Sequence, residues 1–139
     1  MLKNIYIKNI VLIDEIKIDI SSGLNVFTGE TGAGKSILLG GLGLALGSRA
    51  NFSLIGNNED LAIVTARFIL QDDHPVKKFL ITKNIEFENS LVLKRTISNK
   101  GVSKAYINNS PVSLNELNQI GQTLVAVSYT HLTLPTRLM

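Results

Sequence analysis

Apolar and polar positions alternate over Ile5-Tyr6-Ile7-Lys8 and again over Ile16-Lys17-Ile18-Asp19-Ile20, the period of strands that bury one face. Two strands are therefore expected to open the fold. Ser21-Ser22-Gly23 reads as a turn, and Leu24 to Thr28 is a short apolar run, a buried strand that stops at Gly29. From Lys35 to Leu46 the apolar positions Ile37, Leu38, Leu39, Leu42, Leu44 and Leu46 cover most of a helical projection, so the spacing predicts a helix buried on most of its surface. Gly40, Gly41 and Gly43 lie inside it, each costing about 1 kcal/mol of helix propensity relative to alanine. Close packing against a sheet is the expected compensation. Gly47-Ser48-Arg49 ends the helix, and the polar stretch from Asn51 to Asp60 is expected to form a surface loop.

Further along, Leu61 to Leu70 has the pattern of a strand, and His74 to Asn84 that of a short helix with Pro75 in its first turn. Leu91 to Ile97 and Val102 to Ile107 are β-like on either side of Ser98-Asn99-Lys100-Gly101, which predicts a hairpin. Asn108-Asn109-Ser110-Pro111 is a second turn. Ser113-Leu114-Asn115-Glu116 has the form of a capping box, in which the serine hydroxyl and the glutamate carboxylate each accept a free backbone N–H. Leu114, Leu117 and Ile120 follow at helical spacing, Gly121 is expected to stop the helix, and Leu124-Val125-Ala126 reads as a last strand. The layout is α/β with a sizeable antiparallel part and no internal repeat.

Composition narrows the classes. The chain has 139 residues, 45% of them hydrophobic, enough for one domain with a packed core. A formal charge of +3 from 14 basic and 11 acidic residues is too small an excess to act by itself as a nucleic-acid footprint. The absence of cysteine excludes disulfides and thiolate metal sites, and His74 and His131 have no second metal ligand at a helical or hairpin spacing. Glu15, Glu30, Glu59, Glu86, Glu88 and Glu116 are scattered, as solvated surface carboxylates are. The first residues lack the apolar core of a signal peptide, and no stretch reaches the roughly 20 apolar residues of a membrane span. A cytoplasmic protein is expected.

One segment carries chemistry. Gly29-Glu30-Thr31-Gly32-Ala33-Gly34-Lys35-Ser36 satisfies the Walker A pattern G-x-x-x-x-G-K-[ST]. Its glycines permit backbone angles at which successive N–H groups turn inward around phosphate oxygens, and those donors merge with the positive N-terminus of the following helix. Lys35 is expected to set its ammonium against the β- and γ-phosphates of ATP, and the Ser36 hydroxyl to ligate Mg²⁺. A strand before and a helix after are the context this motif requires, and both are predicted from periodicity alone.

The stretch Thr28 to Ile37 resembles the P-loop of the RecN family of bacterial DNA-repair ATPases. Ile7-Lys8-Asn9-Ile10-Val11-Leu12-Ile13-Asp14 is similar to that family's opening strand, Leu42 to Ala50 to the end of its P-loop helix, and Tyr106 to Leu114 to its hairpin and the helix start beyond. The resemblance implies an ABC/SMC-type P-loop ATPase head with a mixed sheet, of which residues 1–126 form the N-terminal part. It also implies ATP and Mg²⁺ as cofactors. As partners it implies the C-terminal half of the same head, a second subunit that closes over the nucleotide, and DNA undergoing double-strand-break repair and recombination. No catalytic residue is assigned, because no candidate Walker B run of apolar residues ending in Asp-Glu is identified in the chain and no signature motif is present.

Three positions depart from the family. Gly56 stands where an arginine near the nucleotide is often found, and Gly40 where a polar residue is frequent. The segment from Val127 to Thr136 replaces the loop whose glutamine approaches Mg²⁺, and it resembles the translation of a transposon-based sequencing adapter. Residues 127–139 are therefore expected to be non-native and to contribute nothing to function. Other readings are another P-loop nucleotide-binding protein, a purely structural α/β domain, or a DNA-binding module using Lys94, Arg95, Lys100 and Lys104 around the hairpin.

Overall fold

Burial alternates along the first strand, β1 (Leu2–Ile10), with Ile5 and Ile7 turned into the core and Tyr6 and Lys8 half-buried on the opposite face. The computed structural model describes residues 2–10, 13–19, 40–47 and 61–137, with side chains for 2–10, 15–19, 40–47 and 61–126. The expected strand at 24–28 and loop at 51–60 lie outside the described residues.

β1 pairs antiparallel with β2 (Ile13–Asp19) on one side and β3 (Leu61–Ile69) on the other. β3 pairs with β4 (Ser90–Ser98), β4 with β5 (Ser103–Ile107), and β5 with β6 (Ser110–Val112), all antiparallel. The sheet order is β2-β1-β3-β4-β5-β6. One face carries Ile5, Ile7, Val64, Ala66, Leu91, Leu93, Ala105 and Ile107 into the core, as the period of two requires. At the edge, Ile16 of β2 stays 36% exposed. Asn9 has φ +58 and its side-chain amide donates to the Leu61 carbonyl. The β1–β2 register passes from Lys8–Glu15 to Ile10–Ile13 around it.

Among the described residues three helical segments accompany the sheet: α1 at residues 40–45, α2 (Val76–Thr82) and α3 (Leu114–Arg137). Leu44 and Ala45 of α1, Val76 and Leu80 of α2, and Leu117, Ile120 and Leu124 of α3 join the core. Asn84 stops α2 with φ +57, its N–H bonded to the Ile81 carbonyl and that of Ile85 to Leu80, a Schellman closure with asparagine in glycine's usual place.

Two expectations are corrected. The first concerns the second turn, which is tighter than Asn108 to Pro111. Asn108 and Asn109 alone take left-handed angles, φ +48 and +69, as a two-residue hairpin turn demands. Pro111 lies in β6, an edge strand where its missing N–H breaks no ladder. The second concerns α3, which neither stops at Gly121 nor gives way to a strand at Leu124-Val125-Ala126. Leu117, Ile120 and Leu124 are buried while Val125 is 53% exposed, a helical face rather than an alternation. Gly121 is explained by packing: a Cβ there would lie 2.2 Å from the Leu46 carbonyl oxygen.

The capping box forms as expected. Glu116 N–H donates to Ser113 Oγ at 3.0 Å, and Ser113 N–H donates to Glu116 Oε1 at 2.9 Å. That backbone donor, followed by Lys83 at 2.9 Å, lowers the Glu116 carboxyl to about 2. Replacing Ser113 with alanine is expected to cost about 1 kcal/mol, measured as a fall in the thermal midpoint.

His74 supplies a pH dependence. Its Nδ1 accepts the Val76 N–H at 3.1 Å at the start of α2, so protonation there would break the bond. Burial, and then neighbouring positive charge including Lys77, lowers its pKa from the ordinary 6.5. A lowered folded value means that the contribution is complete above 6.5 and is lost as pH falls through the folded value. Melting curves on either side of that pH should show the loss. His74→Asn, whose Oδ1 accepts a similar N–H at any pH, should flatten it.

Candidate nucleotide site

Gly29, Glu30, Thr31, Gly32, Ala33, Gly34, Lys35 and Ser36 lie outside the described residues. What the structure describes is the end of the helix expected to follow them, and how that end is held. Four contacts hold it. A Cβ on Gly41 would meet Ile7 Cδ1 of β1 at 2.6 Å, so this glycine brings α1 close to the sheet and compensates its propensity cost there. Gly47, at φ +96, closes the helix with its N–H on the Leu44 carbonyl at 3.1 Å, an angle that favours glycine. From α3, Asn118 Nδ2 donates to the Gly47 carbonyl at 3.3 Å, and Gly121 admits the Leu46 carbonyl.

The sheet adds a further grip. Arg95 of β4 is 1% exposed; its Nε donates to Ser103 Oγ at 3.0 Å and its Nη1 to the Leu44 carbonyl at 3.2 Å. Burial pushes the guanidinium down from its ordinary value, yet an arginine stays charged in protein interiors. This corrects the proposed basic hairpin surface, because Arg95 faces the core and is occupied with α1. Its inward direction follows from the period of two that runs Leu91, Leu93, Arg95, Ile97, a signal present in the sequence and overridden by charge. Lys94 points to the other face, with Nζ 5.7 Å from the Tyr106 ring centroid, while Lys100 and Lys104 are exposed.

The sequence reading also passes over Ile10-Val11-Leu12-Ile13-Asp14-Glu15, an apolar run ending in Asp-Glu that precedes the P-loop. Ile10 ends β1 while Ile13, Asp14 and Glu15 open the antiparallel β2, and Glu15 Oε2 accepts the Tyr6 hydroxyl on the exposed face.

Among the described residues, a short helix downstream of a Walker A sequence is held against a six-stranded antiparallel sheet. The sequence matches the AAA domain family over residues 4–135. The chain belongs to the AAA domain family. Among curated relatives, this AAA domain is 38% identical over 131 residues to the DNA repair protein RecN of Vibrio cholerae, covering 94% of this chain and 24% of that protein. It is 35% identical over 134 residues to the DNA repair protein RecN of Haemophilus influenzae, again covering 94% and 24%. The chain thus spans about a quarter of the length of the curated relatives it matches.

Among solved structures, one of an SMC ATPase studied for ATP-driven dimerization and DNA-stimulated activation superposes with a TM-score of 0.68 at 20% identity. The match covers 88% of this chain and 78% of that one. The fold is that of the N-terminal part of an SMC-type head, and the resemblance to the RecN family is borne out by these relatives. Among the described residues no helix is long and apolar enough to cross a membrane.

Proposed function

We propose that Gly29, Glu30, Thr31, Gly32, Ala33, Gly34, Lys35 and Ser36 bind the phosphates of ATP, with Ser36 on Mg²⁺, as the nucleotide-binding part of a DNA-repair ATPase. The observation that carries this reading is a complete Walker A pattern in an AAA domain. The backbone N–H groups and Lys35 supply the charge-assisted donors that phosphate oxygens need. The setting proposed is the bacterial cytoplasm, with DNA, the remainder of the same head and a second subunit as partners of the longer protein. Residues 127–139 are proposed to stand outside the head, on their match to an adapter translation.

Binding and turnover separate in this reading. Phosphate donors are present, but no apolar run ending in Asp-Glu follows the P-loop and no signature motif is there to complete the site. The 139-residue chain is expected to bind Mg-ATP weakly and to release no phosphate over many cycles. A nucleotide titration paired with a phosphate-release assay measures both. Sustained turnover by the purified chain, or no binding at all, overturns the reading.

A further inference from the structure

Arg95 stands at an inward position of β4 between Leu93 and Ile97, both of them in the core. A well-packed apolar side chain would satisfy such a position without the desolvation a buried charge suffers, so what the guanidinium holds matters. It holds the Leu44 carbonyl, at the C-terminal end of α1. Helix carbonyl ends carry partial negative charge, and a cation placed there is favourable. Ser103 of the neighbouring strand β5 accepts Nε and so fixes the direction of the fork. Leu44 lies nine positions after Lys35 in the sequence.

We infer that Arg95 is a positioning residue for the nucleotide site: it pins the C-terminal end of α1, the end of the helix that the sequence predicts from Lys35 onward, and so favours one geometry for the donors at the start of that helix. This rests on the Mg-ATP reading above. A loop built from converging N–H groups tolerates little displacement, since a shift of about 1 Å is enough to lose productive geometry. The contacts from α3 at Gly47 and Gly121 hold the same end from another side. Loss of Arg95 therefore loosens α1 without releasing it.

The test compares the full wild-type chain with Arg95→Lys, Arg95→Met and Ser103→Ala, and with Lys35→Ala as the direct phosphate-contact control. Mg-ATP titration, thermal melting and amide exchange are read on each. Both Arg95 variants are expected to bind Mg-ATP about tenfold more weakly, the usual effect of losing a charge-assisted hydrogen bond, with Lys the milder. Exchange at the Leu46 and Gly47 amides, which close α1, should quicken more than exchange along the β1–β3 ladder. If Arg95→Met does not fold, Ser103→Ala, which removes only the orienting acceptor, still carries the same expectation to a smaller degree.

Unchanged affinity in folded Arg95→Lys and Ser103→Ala overturns the assignment. So does exchange that quickens equally across the sheet and α1, which would make Arg95 a contributor to global stability alone. Wild-type chain that fails to bind Mg-ATP overturns the nucleotide reading and the positioning role with it. Wild-type binding that is lost in Lys35→Ala but untouched in Arg95→Lys overturns the Arg95 inference only.

Discussion

Lys35→Ala is expected to weaken Mg-ATP binding by about a hundredfold, the loss that follows when an ammonium no longer meets phosphate oxygens. Lysine at this place in a Walker A loop acts as a point charge between the β- and γ-phosphates, and alanine supplies neither the charge nor the reach. The fold should be indifferent to the change, because a lysine at this place in a Walker A loop is expected to meet phosphate rather than to pack in a core. Circular dichroism and the thermal midpoint should match wild type while the titration flattens. Ser36→Ala is the informative companion: its hydroxyl is assigned to Mg²⁺, so affinity should lose its dependence on the metal before it loses the nucleotide. Unaltered affinity in a folded Lys35→Ala chain would remove this loop from nucleotide binding.

Local pattern carried most of the fold where side chains obey one period. Ile5 and Ile7, Val64 and Ala66, and Leu91 and Leu93 point inward as the alternation predicts, and Ser113 with Glu116 forms its box because the whole device lies within four residues. What was not legible depended on partners distant in the chain. Gly121 looks like a helix stop until Leu46, 75 positions earlier, is known to lie against it. Arg95 looks like a surface cation until α1 is known to end on it. Pro111 reads as a turn residue unless β6 is known to be the sheet edge. At the site the chemistry was legible and the mechanics were not. Walker A is a contiguous signature, whereas the clamp on its helix comes from β1, β4 and α3, and no contiguous stretch of sequence records it.

Two glycine-to-alanine changes should move stability in opposite directions for reasons the structure separates. Alanine favours a helix over glycine by about 1 kcal/mol. Gly40 of α1 is exposed, and an added Cβ would meet no packing neighbour within 4 Å among the described residues, so Gly40→Ala should realise most of that gain and raise the thermal midpoint. Gly121 receives the same propensity gain inside α3, but its Cβ would stand 2.2 Å from the Leu46 carbonyl oxygen and 3.0 Å from the Leu46 carbonyl carbon. The clashing atoms are backbone, which cannot rotate aside, so α1 and α3 must separate. Such overpacking costs about 3 kcal/mol, and the net expectation for Gly121→Ala is a loss of about 2 kcal/mol after the propensity gain. Because the displaced partner is the end of the helix expected to follow the P-loop, Mg-ATP affinity should fall as well, whereas Gly40→Ala should leave it unchanged. Paired denaturation and titration of the two variants measure both effects. A Gly121→Ala chain as stable as Gly40→Ala would show that α3 does not bear on Leu46.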